Sequence, residues 1–260
     1  MSQYIRLVIA VFSLACSTLL AAQTSVDGPD YAREARWATE VVPNLVIGDA
    51  IQISADARNF LGLFTPGNPQ LAESKPAIVL IHGVGVHPDF GLIGQLRTRL
   101  SDLGYATLSI QMPVLNKEVT DASLYAKTFP IATLRIRAAH DWLATKLKRP
   151  VVLLSHSMGS WMSNVYFENT AQSPFKAWVC LSITGRIGSM GGNVLPIFDV
   201  QAENDITPVK RGSFFRGITL LSHSQSKRFE VPQTDHQYTA KEAQLAEQIG
   251  LFITEFSVKK

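Results

Sequence analysis

The segment around Ser157 has residue types and spacing that could support nucleophilic chemistry. Its sequence, Ser155–Gly159, is Ser-His-Ser-Met-Gly, with small residues two positions before and two positions after Ser157. It directly follows the apolar run Val151–Leu154, which is typical of a buried strand, and it precedes a predicted helix. A tight strand-to-helix turn lifts a serine hydroxyl above the edge of a sheet. The usual pattern begins with glycine, so Ser155 is a departure, although a small one in size. Ser157 is the predicted nucleophile.

His236 is the predicted general base, because a serine hydroxyl is a weak nucleophile at neutral pH and needs an adjacent base. It follows the last predicted strand and precedes the closing helix, which puts it at the same sheet edge as Ser157. His223 is the rival candidate, but it lies earlier, in polar surroundings. The other four histidines occupy a loop, a helix or other motif positions: His82, His87, His140 and His156.

Asp205 is the predicted acid that orients His236. It lies just past the predicted penultimate strand, where a carboxylate could hold the imidazole and stabilise its protonated form. Glu203 is two residues away and is the alternative. Asp199 lies inside the strand, and Asp235 is adjacent to His236 in the chain, a spacing that rarely gives the required contact.

Two backbone N–H groups are predicted to stabilise a developing oxyanion. One belongs to Met158, the residue after the nucleophile, and the other to Val84, in the loop that follows the apolar run Ala77–Ile81. Glycines on both sides of Val84 allow close approach of a substrate to the backbone. His82, at the start of this loop, is interpreted as a structural hydrogen-bonding residue.

Taken together, Ile78–Gly83, Ser155–Gly159, Asp205 and His236 resemble the α/β-hydrolase superfamily over nearly all of the chain after about Asn44. Within it, the segment Gly83–Asp89 resembles a group of uncharacterised exported bacterial proteins. The resemblance implies a Ser–His–Asp triad and acyl-transfer chemistry. It does not imply a particular ester, since one fold hosts many reactions.

The elements that must position these residues alternate between strand and helix, which predicts an α/β fold with a mostly parallel central sheet and helices on both faces. Residues 23–260 are predicted to form a single domain. Only Ser182–Val194 separates the two strands between which many relatives insert a lid, so no large lid domain is expected. The longer segment Gln111–Pro130 is expected to build one wall of the pocket. The predicted strands are Ile51–Ile53, Phe60–Phe64, Ala77–Ile81, Tyr105–Ile110, Val151–Leu154, Ala177–Leu181, Leu195–Gln201 and Phe229–Val231, and the predicted helices are Leu92–Leu103, Ile131–Leu147, Ser157–Thr170 and one from about Ala240 to Phe256.

The N-terminus has the layout of a secretory signal peptide over residues 1–22. A basic start is followed by the apolar run Leu7–Ala15 and by small residues at Ala21 and Ala22. We therefore expect export to the periplasm or secretion. Two alternatives stay open: Cys16 ends a weak lipoprotein box, and the segment could remain as an anchor.

Composition narrows the classes of partner. The chain has 260 residues, 46% of them hydrophobic and 17% charged, with a net charge of +3. This thinly spread charge does not indicate nucleic-acid binding. His87 and Asp89 lack a third metal ligand, so no metal or organic cofactor is expected. Cys180 lies in an apolar run and is interpreted as a buried, inert thiol.

The leading hypothesis is hydrolysis of a carboxylic ester through an acyl-enzyme on Ser157, with a small-molecule ester or acyl compound as substrate. An acyltransferase, a thioesterase or a peptidase could use the same residues. A non-catalytic cell-envelope binding protein on this fold is the alternative from another class. Membrane contact is expected only if Cys16 is lipidated or the signal is retained, and the oligomeric state stays open.

Overall fold

The structure, a computed structural model, describes residues 28–71 and 75–258, and side chains as far as residue 255. The predicted signal peptide and Cys16 lie outside the described residues. Within the described ranges, no helix has the length and apolar composition needed to span a membrane.

Eight strands form one sheet: β1 Asp49–Ala55, β2 Arg58–Thr65, β3 Ala77–Ile81, β4 Thr107–Ile110, β5 Val151–His156, β6 Trp178–Leu181, β7 Ile197–Asn204 and β8 Lys227–Asp235. Their order in the sheet is β1-β2-β4-β3-β5-β6-β7-β8. Strand β2 is antiparallel to both of its neighbours, and the remaining pairs, from β4 through β3 to β8, are parallel. The predicted mostly parallel sheet is therefore confirmed.

Helices cover both faces of this sheet: α1 Tyr31–Val41, α2 Gly91–Asp102, α3 Phe129–Leu147, α4 Met158–Glu168, α5 Thr207–Leu220 and α6 Glu242–Val258. Alternate side chains of β3 enter two separate hydrophobic clusters, as expected for a strand that is buried on both sides. Val79 and Ile81 pack with α3 and α4, whereas Ile78 and Leu80 pack with α2 and α6.

Two of these helices were not predicted from the sequence. In α1 only Glu34 and Val41 are buried, with Ala38 packed beside Val41, so the side that faces the protein has few of the large apolar residues that would mark a core helix in the sequence. In α5 several large apolar side chains face solvent, and the helix contains two glycines, so its sequence lacks a regular apolar stripe. Both helices are held by tertiary contacts that a local pattern does not reveal.

The connection between β6 and β7 is short. It spans residues 182–196 and contains only the 3₁₀ turn Met190–Gly192, so no lid domain is inserted there, as predicted. Strands β3, β5, β6, β7 and β8 are parallel, so their carboxyl ends lie at one edge of the sheet. The residues that follow these strands meet at this edge.

Candidate active site

Ser157 occupies a strained turn between β5 and α4. Its backbone has φ 56° and ψ −120°, a conformation that L-residues rarely adopt. At this turn α4 packs closely against the end of β3. A Cβ added at Gly159 would lie only 2.4 Å from the His82 carbonyl oxygen. Glycine is therefore required at position 159. Ser155, which replaces the usual glycine, is buried and accepts a hydrogen bond from Trp178 Nε1 at 2.8 Å.

The structure brings His236 into contact with both Ser157 and Asp205. The distance from His236 Nε2 to Ser157 Oγ is 2.9 Å, and that from His236 Nδ1 to Asp205 Oδ1 is 2.6 Å. A carboxylate can only accept, so Nδ1–H donates to Asp205, and Nε2 is the ring nitrogen that faces the serine hydroxyl and can accept its proton. The three residues predicted from the sequence therefore form one hydrogen-bonded chain.

Asp205 is held as a carboxylate by other donors as well. Its Oδ2 accepts from Ser182 Oγ at 2.5 Å and from the Ala202 N–H at 3.0 Å, and its Oδ1 accepts from the Ile206 N–H at 2.9 Å. Burial by itself would raise the pKa of Asp205. The hydrogen bonds from His236, Ser182 and Ala202 outweigh it, so the pKa lies below its ordinary value.

Ser182 and Tyr238 extend this hydrogen-bonded chain and were not identified from the sequence. Ser182 directly follows β6, between the strand ends that carry Ser157 and Asp205. Its single hydroxyl hydrogen goes to Asp205, so the hydroxyl of Tyr238 donates to Ser182 Oγ at 2.7 Å or to the Val200 carbonyl at 3.1 Å. A polar residue directly after a buried parallel strand was the signal that could have indicated Ser182.

His156 fastens the backbone of His236. Burial, followed by the effect of the nearby His236, lowers the pKa of His156 to about 4, so its ring is neutral at pH 7. The His156 Nε2–H donates to the carbonyl of His236 at 2.9 Å. This contact joins the residue before Ser157 to the loop after β8, and it too was missed in the sequence.

The two residues predicted to stabilise an oxyanion lie near Ser157. Met158 is the first residue of α4, where backbone N–H groups have no partner within the helix. Val84 lines the same cleft as Ser157 and His236. A Cβ added at Gly83 would lie 3.5 Å from Ser157 Cβ, so the Val84 loop passes directly beside the nucleophile.

His82 supports this loop through backbone contacts. Its Nδ1–H donates to the Gly83 carbonyl at 2.8 Å, and its Nε2 accepts from the Met112 N–H at 2.9 Å. Burial lowers the pKa of His82 to about 3, which keeps the ring neutral. These contacts agree with the structural interpretation made from the sequence.

A cleft of about 110 Å³ opens beside Ser157. The loop after β3 and the start of α2 supply its apolar lining: Val84, Val86, Phe90, Leu92 and Ile93. The expectation that Gln111–Pro130 forms a wall is wrong, because none of its residues lines the cleft beside Ser157. Its Leu115 and Tyr125 are buried in the hydrophobic core.

The rival acid and base candidates have other partners. His223 lies in the turn before β8, at the opposite edge of the sheet. Glu203 accepts from the Gln233 N–H at 2.7 Å, and Asp235 accepts from the Gln237 N–H at 3.0 Å. Asp199 forms a buried ion pair with Arg216 at 2.8 Å.

The two residues considered as metal ligands have partners in their loop and on α2. Asp89 forms an ion pair with Arg97 at 2.6 Å, and His87 Nδ1 accepts from the Asp89 N–H at 3.3 Å. In the part of the chain that the structure describes, no group of three or more His, Cys, Asp or Glu side chains could hold a metal ion.

Comparison with known sequences gives limited information. A family described as a protein of unknown function, DUF3530, matches residues 7–129, which is less than half of the chain. The search of curated proteins gives no match.

Comparison with solved structures is more informative. Est1E from Butyrivibrio proteoclasticus aligns with a TM-score of 0.60 at 18% identity, covering 81% of this chain and 99% of that one. An α/β serine hydrolase without a lid from Xanthomonas campestris aligns with a TM-score of 0.62 at 11% identity, covering 83% and 97%. A dienelactone hydrolase from Anabaena variabilis aligns with a TM-score of 0.61 at 18% identity, covering 79% and 96%. With the same overall architecture as these proteins, the chain has the α/β-hydrolase fold.

Proposed function

We propose that this protein is a serine hydrolase that cleaves a carboxylic ester through a covalent acyl-enzyme. The observation that carries the proposal is the hydrogen-bonded chain from Ser157 through His236 to Asp205, with Ser157 in a strained turn at the mouth of a cleft. A non-catalytic protein would have no physical need for this arrangement. Strain at a single position is also typical of functional sites.

In the first step, Ser157 Oγ attacks the ester carbonyl carbon while His236 Nε2 takes the hydroxyl proton. The C–O double bond becomes a single bond, and the carbonyl oxygen carries the negative charge. The N–H groups of Met158 and Val84 stabilise that charge. Asp205 stabilises the imidazolium of His236 through the Nδ1–H bond.

In the second step, the tetrahedral intermediate collapses and the ester C–O bond breaks. His236 gives its proton to the departing alkoxide, which leaves as an alcohol, and the acyl group stays on Ser157. A water molecule then attacks the acyl-enzyme, with His236 again taking a proton, and the carboxylic acid is released. Proton and charge balance over the cycle, and serine and histidine are regenerated.

The described activity of one similar protein and the lining of the cleft favour an ester as the substrate. One similar protein is described as a dienelactone hydrolase, and a lactone is a cyclic ester. Apolar side chains line the cleft of about 110 Å³ beside Ser157, which suits a short acyl group. We expect turnover of nitrophenyl esters to be highest for short acyl chains and to fall as the chain lengthens.

Labelling with a fluorophosphonate tests the proposal. The probe forms a covalent adduct only with an activated serine, so we expect a single adduct on Ser157 by intact mass and peptide mapping. His236→Ala should abolish labelling, because the base is removed. Ser157→Ala should lower kcat for a short-chain ester by roughly a millionfold, since triad members act as a unit.

His223→Gln is the matched control, because it replaces a buried histidine at the opposite edge of the sheet. Labelling of this variant should equal that of the unaltered protein. A folded protein that takes up no probe at Ser157 would overturn the proposal and favour a binding protein on this fold.

We also propose that the chain is exported, on the basis of the basic, apolar and small-residue order of residues 1–22. Mass spectrometry of the N-terminus after expression in a bacterium tests this. A mature chain that begins near Gln23 is expected, and a chain that still begins at Met1 or that is lipidated at Cys16 would contradict cleavage after residue 22.

A further inference from the structure

Helix α5 presents an apolar stripe to solvent. Phe214, Ile218 and Leu221 are 71%, 52% and 87% exposed. Their spacing of four and three residues places them on one face, along α5 and the residue that follows it. Single exposed apolar residues are ordinary on protein surfaces, whereas a contiguous apolar stripe marks an interaction site.

Basic side chains border both sides of this stripe. Lys210 and Arg211 are exposed near the start of α5, one on each side of Phe214 in the helical projection. Arg228 lies across the helix, with its Nη2 at 2.6 Å from Ser213 Oγ. On the other side, Arg186 stacks on the ring of Phe215 at 3.9 Å. We call Lys210, Arg211, Phe214, Ile218 and Leu221 the α5 surface.

Basic side chains outnumber acidic ones around α5, where Glu203 precedes the helix and Glu230 lines the same cavity as Arg228. The segment Ile206–Phe229 contains no aspartate or glutamate. Asp199 pairs with Arg216 at 2.8 Å and with Arg228 at 3.2 Å, so one carboxylate serves two guanidinium groups and a positive charge is left over. Lys210 Nζ donates to the Glu203 carbonyl, a contact that leaves its charge intact.

We propose that the α5 surface docks on an anionic lipid surface. A helix that lies in a membrane interface places its apolar side chains at the boundary of the hydrocarbon and its basic side chains among anionic headgroups. The stripe and its basic borders provide both contacts in one place. This proposal is independent of the hydrolase proposal. The first turn of α5 begins two residues after Asp205 and so lies near the candidate active site, whereas the end of α5 lies toward the opposite edge of the sheet.

Vesicle binding by the full chain tests the proposal. With vesicles that contain phosphatidylglycerol, we expect binding that weakens as salt is added, and much weaker binding to vesicles of phosphatidylcholine alone. Lys210→Gln with Arg211→Gln should weaken binding about fivefold for each charge removed. Phe214→Ser with Leu221→Ser should weaken it at least roughly tenfold through lost apolar burial. Hydrogen exchange over residues 207–221 should slow when anionic vesicles are present.

Two variants elsewhere on the surface are matched controls. Leu251→Ser removes an apolar side chain that is 59% exposed on α6, and Lys117→Gln removes an exposed charge. Both should bind as the unaltered protein does. Equal binding by the α5 variants and the controls, without slower exchange in α5, would overturn the proposal. Light scattering that shows a dimer dissociated by Phe214→Ser with Leu221→Ser would also overturn it, and would assign the surface to a second copy of this chain.

Discussion

At the scale of single residues, four hydrogen bonds converge on the carboxylate of Asp205. One oxygen accepts from His236 and the Ile206 N–H, and the other accepts from Ser182 and the Ala202 N–H. One backbone donor, Ala202, lies near the end of β7, and the other, Ile206, lies in the turn after it. Ser182 is the one side-chain donor besides His236 among these four, and it fixes the orientation of the carboxylate toward the imidazole.

Ser182→Ala should therefore weaken the support of Asp205 without touching the nucleophile. Loss of this donor removes one of the interactions that lower the pKa of Asp205, so the carboxylate takes up a proton at a higher pH. We expect the acid limb of the kcat/KM profile to move to higher pH and kcat to fall by roughly tenfold, with little change in KM. Tyr238→Phe should have a smaller effect in the same direction, because the Tyr238 hydroxyl contacts Ser182 and makes no direct hydrogen bond to Asp205.

Ser226→Ala is the control for this experiment. Its hydroxyl accepts from the Ile197 N–H at 2.9 Å at the far edge of the sheet, so its loss should leave the pH profile in place. A Ser182→Ala enzyme whose acid limb coincides with that of the unaltered enzyme would exclude a positioning role for Ser182.

At the scale of elements, α1 braces the loop that carries Val84. Arg33 Nη2 donates to the Gly85 carbonyl at 2.9 Å. The helix is itself anchored from within the protein, because Arg135 on α3 forms a buried ion pair with Glu34 at 2.9 Å and also donates to the Gln111 carbonyl. Burial raises the pKa of Glu34, and the charge and hydrogen bond of Arg135 oppose that rise.

Arg135→Met should lower the free energy of unfolding by about 3 kcal/mol, because it leaves the carboxyl of Glu34 buried without its cationic partner. Adding Glu34→Leu to this variant should recover part of the loss, since an apolar pair has no charge to desolvate. Urea-induced unfolding of the two variants measures both effects.

An exposed ion pair provides the comparison. Lys117 and Glu118 lie 3.7 Å apart with both side chains largely in solvent, so Glu118→Gln should change the free energy of unfolding by less than about 1 kcal/mol. If Arg135→Met is no more destabilising than Glu118→Gln, the ion pair does not anchor α1.

At the scale of the whole molecule, two buried neutral imidazoles make the free energy of unfolding depend on pH. His82 holds the loop after β3, and His156 holds the loop after β8, on opposite sides of the cleft. Burial lowers the pKa of both below the ordinary value of 6.5, to about 3 and about 4. Between these values and 6.5 the unfolded chain binds protons that the folded chain does not.

The free energy of unfolding should therefore be greatest above pH 6.5 and should fall as the pH is lowered toward 4, by on the order of a few kcal/mol for each histidine. Asp205 has the same sign at lower pH, since its pKa in the folded protein is also lowered, so its contribution is lost as acid protonates the carboxylate. Urea unfolding at a series of pH values measures this slope.

His156→Gln isolates one of the two histidines, because glutamine can still donate a hydrogen bond to the His236 carbonyl but does not titrate. The slope between pH 6.5 and 4 should be shallower in this variant than in the unaltered protein. A slope that the substitution leaves unchanged would show that His156 does not stay neutral in the folded state.

Patterns in the amino-acid sequence predict the parallel sheet and the residues that end its strands. Apolar runs such as Ala77–Ile81 indicate buried strands, and Gly159 two residues after Ser157 indicates the tight turn, because both depend on neighbours in the chain. The order of strands then predicted that Ser157, Asp205 and His236 would meet, since carboxyl ends of parallel strands share one edge. These signals are local, or follow from a general rule of topology.

The hydrogen bonds that support the site, and the exposed apolar face of α5, depend on contacts in the folded protein. Ser182 and Asp205 are 23 residues apart and His156 and His236 are 80 apart, so no local pattern indicates their hydrogen bonds. Helix α5 escaped prediction because Phe214 and Ile218 face solvent instead of the core. The local sequence sets which elements form, whereas contacts between distant residues set the geometry of the site and leave the α5 surface exposed.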